Sequence, residues 1–311
     1  MLSSISSSEQ PATAPARIRR TTWALFACAL LLYAFAEAVA RFGLEHVSRI
    51  HHRILQEANA AGELRQSASA SSKTVLLLGN SLLLEGVDIP QLNAGLQPRF
   101  RTQRFAVEQT QFLDWYYALQ AMFRRGVRAD LIVLCLNPPQ LISDQVRGDF
   151  SAHVLFDLQD IWPASRDSGA DFTRTSGYYL AHFSAFYATR SEMRSVLMHK
   201  LANPVQEMWH QAVTTMATIP DDSALTPLVE TQLRRFDQLC RRYGADLRFL
   251  VPPTHQSGDG AILQAGAHTG VRVLRPIPNG SLSGDYYRDS FHLNARGADL
   301  FTKAIIGEML K

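Results

Sequence analysis

The sequence predicts an open α/β sheet of five parallel strands, preceded by a membrane-grade helix and interrupted by one long helical insertion. Short, continuous apolar runs recur from Thr74 onward, as strands buried on both faces require. Helix-length segments fall between them, and strand alternating with helix builds a parallel sheet between helical layers. Ahead of these, Trp23 to Ala40 is apolar apart from Glu37, about the length that crosses a bilayer as a helix.

Residues 1–16 are rich in Ser, Ala and Pro without an apolar period, the composition of a disordered tail. Arg17, Arg19 and Arg20 follow. Basic residues ahead of a span favour a cytoplasmic N-terminus, although Arg41, Arg49 and Arg53 beyond it blunt that bias. The reading is a cytoplasmic tail over 1–20 and a transmembrane signal anchor over 21–41. That makes a single-pass protein of the inner (cytoplasmic) membrane with its main domain on the periplasmic, extracytoplasmic side. Two readings compete: a cleavable signal peptide, since Ala36-Glu37-Ala38 and Ala38-Val39-Ala40 have the small-x-small cleavage pattern, and a buried helix of a cytoplasmic protein. Leu44, Val47, Ile50 and Ile54 continue at near-helical spacing. They predict an amphipathic stalk that lies along the bilayer or packs on the domain, with Ala60 to Ser72 as its linker. Stalk and linker together occupy 42–72.

From 73 to 311 the elements follow in order. The expected strands are Thr74 to Leu78, ending at Gly79, then Thr102 to Val107, Leu131 to Leu136, Leu247 to Val251 and Val271 to Leu274. Helices are expected over Phe112 to Arg125, Pro227 to Tyr243, Gly260 to His268 and Ala295 to Leu310. In such a sheet the ligand crevice lies outside the carboxyl ends of the strands. The stretch from 142 to 224 is too long for one crossover and carries Trp162, Tyr178, Tyr179, Phe183, Phe186, Tyr187 and Trp209. Helical spans are expected there near Tyr179 to Ala202 and Val205 to Thr218. It reads as a helical cap or partner-binding insertion, most of whose aromatics form its own core.

Composition narrows the function. Apolar residues make up 46% of the chain, enough for a sizeable core, and the net charge of +3 comes from scattered basic residues. A nucleic-acid partner would need them gathered in a stripe, so none is expected. Cys28, Cys135 and Cys240 are odd in number and far apart. They form neither a disulfide framework nor a zinc motif and read as small buried hydrophobes. His51, His52, His255 and His268 show no ligand spacing, and no glycine-rich nucleotide fingerprint occurs. Neither a metal nor a cofactor is expected.

Two segments carry chemistry. Gly79-Asn80-Ser81 closes the first strand, so Ser81 sits at the crevice edge beside a helix N-terminus able to donate N–H groups. The same tripeptide is also ordinary turn and cap chemistry. After the fifth strand comes Tyr286-Tyr287-Arg288-Asp289-Ser290-Phe291-His292-Leu293-Asn294. Asp289 and His292, three residues apart, fit one side of a turn over the same crevice. Singly, Asp289 reads as a helix cap and His292 as a packed loop residue. Together with Ser81 they supply what acyl transfer needs: a hydroxyl nucleophile, a base to take its proton and a carboxylate to orient the base.

With these motifs the stretch from Thr74 to Lys311 resembles the SGNH (GDSL-like) hydrolase superfamily. Gly79-Asn80-Ser81 is similar to its first block, with Asn80 where Asp is commoner, and Asp289-Ser290-Phe291-His292 to its last. The resemblance implies a flavodoxin-like three-layer α/β/α fold, with Ser81, His292 and Asp289 catalytic and no cofactor. The middle blocks depart from the family. Its second-block Gly is replaced by Glu108-Gln109-Thr110, where Glu108 reads as a solvated strand-end charge. Its Gly-x-Asn-Asp becomes Leu136-Asn137-Pro138-Pro139. The oxyanion donors implied are the Ser81 N–H, Asn137 and Gln109, with Asn137 also readable as a turn residue introducing the two prolines.

The expected function is a membrane-anchored serine esterase or O-acyltransferase working through an acyl-serine intermediate. Its implied substrate is an acyl, most simply acetyl, ester of a surface or secreted polysaccharide. Its implied partners are an ester-bearing glycan or acyl donor and a multi-span membrane acyltransferase. The alternative from another class is a catalytically degenerate SGNH-fold scaffold or binding subunit of a polysaccharide-modification complex. A lipase or thioesterase, with the aromatic insertion lining its acyl pocket, is the third.

Overall fold

The computed structural model describes residues 14–66, 72–190 and 221–311. Strands β1 (Lys73–Gly79), β2 (Phe100–Ala106), β3 (Leu131–Cys135), β4 (Asp246–Leu250) and β5 (Arg272–Leu274) form one sheet in the order β2-β1-β3-β4-β5, every pair parallel. This is the flavodoxin-like order, whose reversal point lies between β1 and β3.

The apolar runs are continuous because both faces of the sheet are covered. In β1, Val75 and Leu77 enter one core cluster while Leu76 and Leu78 enter the other, as the two-residue period of a strand dictates. The first cluster lies under α3 (Ser81–Gly86), α4 (Ile89–Leu96) and the closing helix Ala295–Met309, through Leu83, Leu92, Leu96, Phe301 and Ile305. The second lies under α5 (Phe112–Arg124) and the helices Asp222–Arg242 and Asp259–Thr269. The largest fully buried side chains of this second layer include Trp115, Phe112 and Phe236.

Outside the insertion two boundaries differ from expectation by more than one residue, for local reasons. The second strand begins at Phe100 rather than Thr102, because it pairs with β1 residue for residue from Lys73↔Phe100 to Gly79↔Ala106. The helix before β4 begins at Asp222 rather than Pro227, because the Asp221 carboxylate accepts the Ala224 N–H and caps it. Pro227 therefore lies on the second turn.

At the N-terminal side, α1 (Ala14–His46) contains one stretch, Thr21–His46, long and apolar enough to cross a membrane. Leu25, Phe26, Leu30, Leu31 and Phe35 on it are exposed. The stalk is α2 (Arg49–Gly62), and it packs on the domain: Ile54, Glu57 and Ala61 are buried against β2. Glu57 accepts from Arg104 (2.7 Å) and from the Ala106 N–H (2.8 Å). A buried carboxylate persists only when paired in this way.

Beyond β3 the chain forms α6 (Pro138–Ile142), and the insertion contributes α7 (Asp149–Val154), α8 (Leu158–Asp167) and α9 (Phe172–Phe183). The helix expected over Tyr179 to Ala202 is broken at Ser184, whose Oγ accepts the Tyr187 N–H (3.0 Å) and starts a new helix at Ala185. The expected span Val205 to Thr218, with Trp209, lies outside the described residues. The insertion has no separate core in α7 to α9: Ala152, Ile161, Ala164 and Tyr178 join the cluster that covers the sheet. Its aromatics divide, with Tyr178 buried and Trp162 and Phe183 exposed. The remaining helices are α10 (Asp222–Arg242), α11 (Asp259–Thr269) and α12 (Ala295–Met309).

Candidate active site

Three strands end level. Gly79 pairs with Ala106 on one side and with Cys135 on the other, so the turns that follow β1, β2 and β3 open side by side at the reversal point. A Cβ at Gly79 would lie 2.7 Å from the Cys135 carbonyl oxygen and 2.9 Å from Leu83 Cβ. Only glycine lets β1 run into α3 there, and α3 begins at Ser81. Asn80 is fully buried. Its Oδ1 accepts the Leu82 N–H (3.0 Å) as the cap of α3, while its Nδ2 donates to the Thr110 carbonyl of the second turn (3.0 Å).

The loop after β5 brings the other two residues to Ser81. His292 Nε2 lies 2.9 Å from Ser81 Oγ, and His292 Nδ1 lies 2.9 Å from Asp289 Oδ2. Asp289 Oδ1 accepts the N–H groups of Phe291 and His292, both at 2.8 Å. The loop is closed by the Arg288 N–H donating to the His292 carbonyl (2.8 Å) and the Asn294 N–H donating to the Tyr286 carbonyl (2.9 Å). Asn294 then caps α12. Partial burial opposes ionisation of Asp289, but the N–H groups of His292 and Phe291 and the imidazole outweigh it. They hold this carboxyl well below the usual range. A carboxylate at Nδ1 makes that nitrogen the protonated one, which leaves Nε2 free to accept the Ser81 proton.

Gln109 and Asn137 stand on the turns flanking Ser81. Gln109 has φ +60°, the left-handed region that costs a non-glycine residue roughly 1–3 kcal/mol. Its neighbours hold it there: the Glu108 carbonyl accepts from Arg147 (2.9 Å) and the Thr110 carbonyl from Asn80 (3.0 Å). The glycine-like backbone is thus kept without a glycine. Glu108 is not the solvated charge expected of it, since Arg53 from α2 donates to both its carboxylate oxygens (2.7 and 2.8 Å). Asn137 is buried and caps α6, with Pro138 in its first turn. Its Oδ1 accepts the Gln140 N–H (3.1 Å) and its Nδ2 donates to Gln256 Oε1 (2.9 Å). The turn role is therefore filled, and one of the amide's two N–H groups is taken by Gln256.

Comparison with known proteins yields no match to any protein-family model or curated protein. Among solved structures the chain is similar to a lipase from a goat rumen metagenome, at 11% identity and a TM-score of 0.36 over 76% of this chain and 96% of that one. It is also similar to TesA, at 11% identity and a TM-score of 0.38 over 76% and 98% of the two chains. A third is the periplasmic domain of a lipopolysaccharide acetyltransferase from Salmonella ser. Paratyphi A, at 8% identity and a TM-score of 0.37 over 86% and 99%.

Several supporting residues have no signal in the sequence. Arg288 bridges Glu85 of α3 (2.5 Å) and Asp289 (3.2 Å), tying α3 to the loop after β5. Gln256, on the loop after β4, orients Asn137 across 119 positions of chain. The His255 ring packs on Tyr287 with centroids 4.2 Å apart, bringing that loop against the loop after β5. Locally, His255 and Gln256 are marked only by lying shortly after a strand's carboxyl end, and Arg288 only by standing beside Asp289. Among the described residues no group of three or more His, Cys, Asp or Glu is arranged to hold a metal ion.

Proposed function

We propose that this chain is a membrane-anchored serine esterase or O-acyltransferase acting on acyl esters, acetyl most simply, of a surface or secreted polysaccharide. The observation that carries it is His292, 2.9 Å from Ser81 Oγ on one ring nitrogen and 2.9 Å from Asp289 on the other. Ser81 Oγ attacks the ester carbonyl while its proton passes to His292 Nε2, and Asp289 stabilises the imidazolium that results. The oxyanion forms beside the Ser81 N–H, with Asn137 Nδ2 and Gln109 on either side. One such donor is worth about 3 kcal/mol of transition-state stabilisation. The imidazolium returns its proton to the departing alkoxide and leaves acyl-Ser81. Water or a sugar hydroxyl, deprotonated by His292, then takes the acyl group and frees Ser81. Single-span anchoring through α1, a periplasmic domain and a multi-span acyl-donating partner belong to the same proposal.

Turnover of p-nitrophenyl acetate by the full chain, with and without glycan acceptors, tests it against Ser81→Ala and His292→Ala. Both variants lose release by roughly 10³-fold or more and keep the fold, and wild type alone is labelled by a fluorophosphonate. Stimulation by a glycan marks transfer, and its absence marks hydrolysis. Full activity in either variant refutes the assignment. A folded wild type that neither turns over nor labels returns the chain to the scaffold reading.

A further inference from the structure

The apolar run of α1 has one acidic interruption, Glu37, and its carboxylate is fully engaged. It accepts from Ser184 Oγ (2.7 Å), the Ala185 N–H (3.0 Å), the Phe186 N–H (3.0 Å) and Arg41 Nε (2.6 Å). Ala185 and Phe186 open the helix that follows α9, so Glu37 satisfies two of the N–H groups a helix start leaves without partners. Ser184 Oγ takes the third, from Tyr187. Two more contacts extend the seam. Tyr33 donates to Ser184 Oγ (2.8 Å) and meets Phe186 edge to face, and Arg41 donates to the Phe183 carbonyl (3.2 Å). Tyr33, Glu37 and Arg41 are spaced by four and share one face of α1.

Depth follows from helix geometry. A hydrocarbon core takes about 20 residues of helix, which, counted from Thr21, the first residue of the apolar stretch, ends near Ala40. Tyr33 to Arg41 then occupy the outer part of the span, and residues 183–186 lie beside them at that depth. An acidic residue in a span is tolerated when it faces protein and is hydrogen-bonded, as Glu37 is. Leading into this seam, α9 exposes Phe172, Leu180 and Phe183 (86%, 54% and 64% exposed). At a 3.6-residue period these three share one stripe, in which Ser176 turns its hydroxyl back onto the Phe172 and Thr173 carbonyls.

We propose that this stripe of α9 lies in the outer leaflet of the bilayer that α1 crosses, with Glu37 as the clamp that holds the insertion at the membrane surface. The inference rests on the anchor reading of α1. Its occupant is lipid, because the stripe runs into a seam already at span depth. Cleavage after Ala38 or Ala40 would remove the clamp, so the helix has to stay attached.

The test uses full-length protein in phosphatidylethanolamine and phosphatidylglycerol vesicles containing brominated acyl chains. In a Cys28→Ala background, an environment-sensitive label is placed singly at Leu30→Cys, Leu180→Cys, Phe183→Cys or Lys303→Cys. Cys135 and Cys240 are buried and do not compete. Labels at 30, 180 and 183 are expected to be quenched several-fold more than that at 303 on α12. Glu37→Ala should bring 183 down to the level of 303 while leaving 30 quenched. Quenching at 30 with 180 and 183 as accessible to water as 303 overturns the proposal and leaves the anchor standing. No quenching at 30 overturns the anchor reading and the proposal with it. Unchanged quenching at 183 in Glu37→Ala overturns the clamp.

Discussion

Asn80 is where the first two blocks of the site are joined, and replacing it separates capping from bridging. In Asn80→Ala the Leu82 N–H loses its cap, at about 1 kcal/mol, and the Thr110 carbonyl loses its donor in a buried site, at roughly 1–3 kcal/mol. The expected loss is about 2–4 kcal/mol. Asn80→Asp, the residue commoner in the resembling family, keeps the acceptor for Leu82 but sets a carboxylate oxygen against the Thr110 carbonyl with no exposure to water. Only the protonated acid can donate there, so the folded-state pKa of Asp at this position rises above its unfolded value of about 3.9. A raised folded pKa gives stability that is full below the unfolded pKa and lost as pH rises through the folded one. The Asp variant should therefore approach wild type near about pH 4 and fall as far as the Ala variant, or further, by about pH 7. Thermal unfolding by circular dichroism of full-length protein in detergent reads this directly, at about 2–4 °C per kcal/mol for a domain of this size. Midpoints within about 1 °C of wild type for both variants at neutral pH would refute the reasoning. So would an Asp deficit that stays constant with pH.

Two further outcomes follow from the same network. Asp289→Asn keeps Oδ1 for the Phe291 and His292 N–H groups but turns an amide N–H₂ toward His292 Nδ1, imposing the tautomer whose Nε2 carries a proton and cannot take that of Ser81. Ester turnover should drop by roughly 10³–10⁴-fold with the unfolding midpoint lowered, because the N–H groups of Phe291 and His292 lose a charged acceptor, and activity within tenfold of wild type would contradict the assigned orientation. Asp114, buried in the first turn of α5, is pushed up to about 6 by burial. Its stabilising contribution is full below about pH 3.9 and is lost as pH rises through about 6, a change of about 2–3 kcal/mol. Unfolding midpoints from pH 4 to 6.5 should carry this slope in wild type and lose it in Asp114→Asn, and parallel profiles would exclude it.

What could be read from the sequence was whatever local chemistry encodes. A strand buried on both faces has to be apolar at every position, so β1 and β3 were visible as runs and their order was enough for an α/β sheet. That α1 is long and apolar enough to cross a membrane was visible because length and hydropathy suffice to describe it. Ser81, Asp289 and His292 stood out because each sits in a short motif past a strand end, and the fold brings them within hydrogen-bond distance. Only the tertiary structure decided the rest, since those features depend on partners distant in the chain. Gln109 takes a left-handed backbone because Arg147 and Asn80 pin the carbonyls on either side of it. Glu108, readable alone as a solvated charge, is held by Arg53 from a helix that was equally free, on sequence grounds, to lie along a bilayer. Glu37 looked like a flaw in an apolar run until the fold placed it on Ser184, Ala185 and Phe186. A hydrophobic period reports the environment of a side chain averaged over a helix or strand. The partner of a single polar group is set by the three-dimensional path of the whole chain.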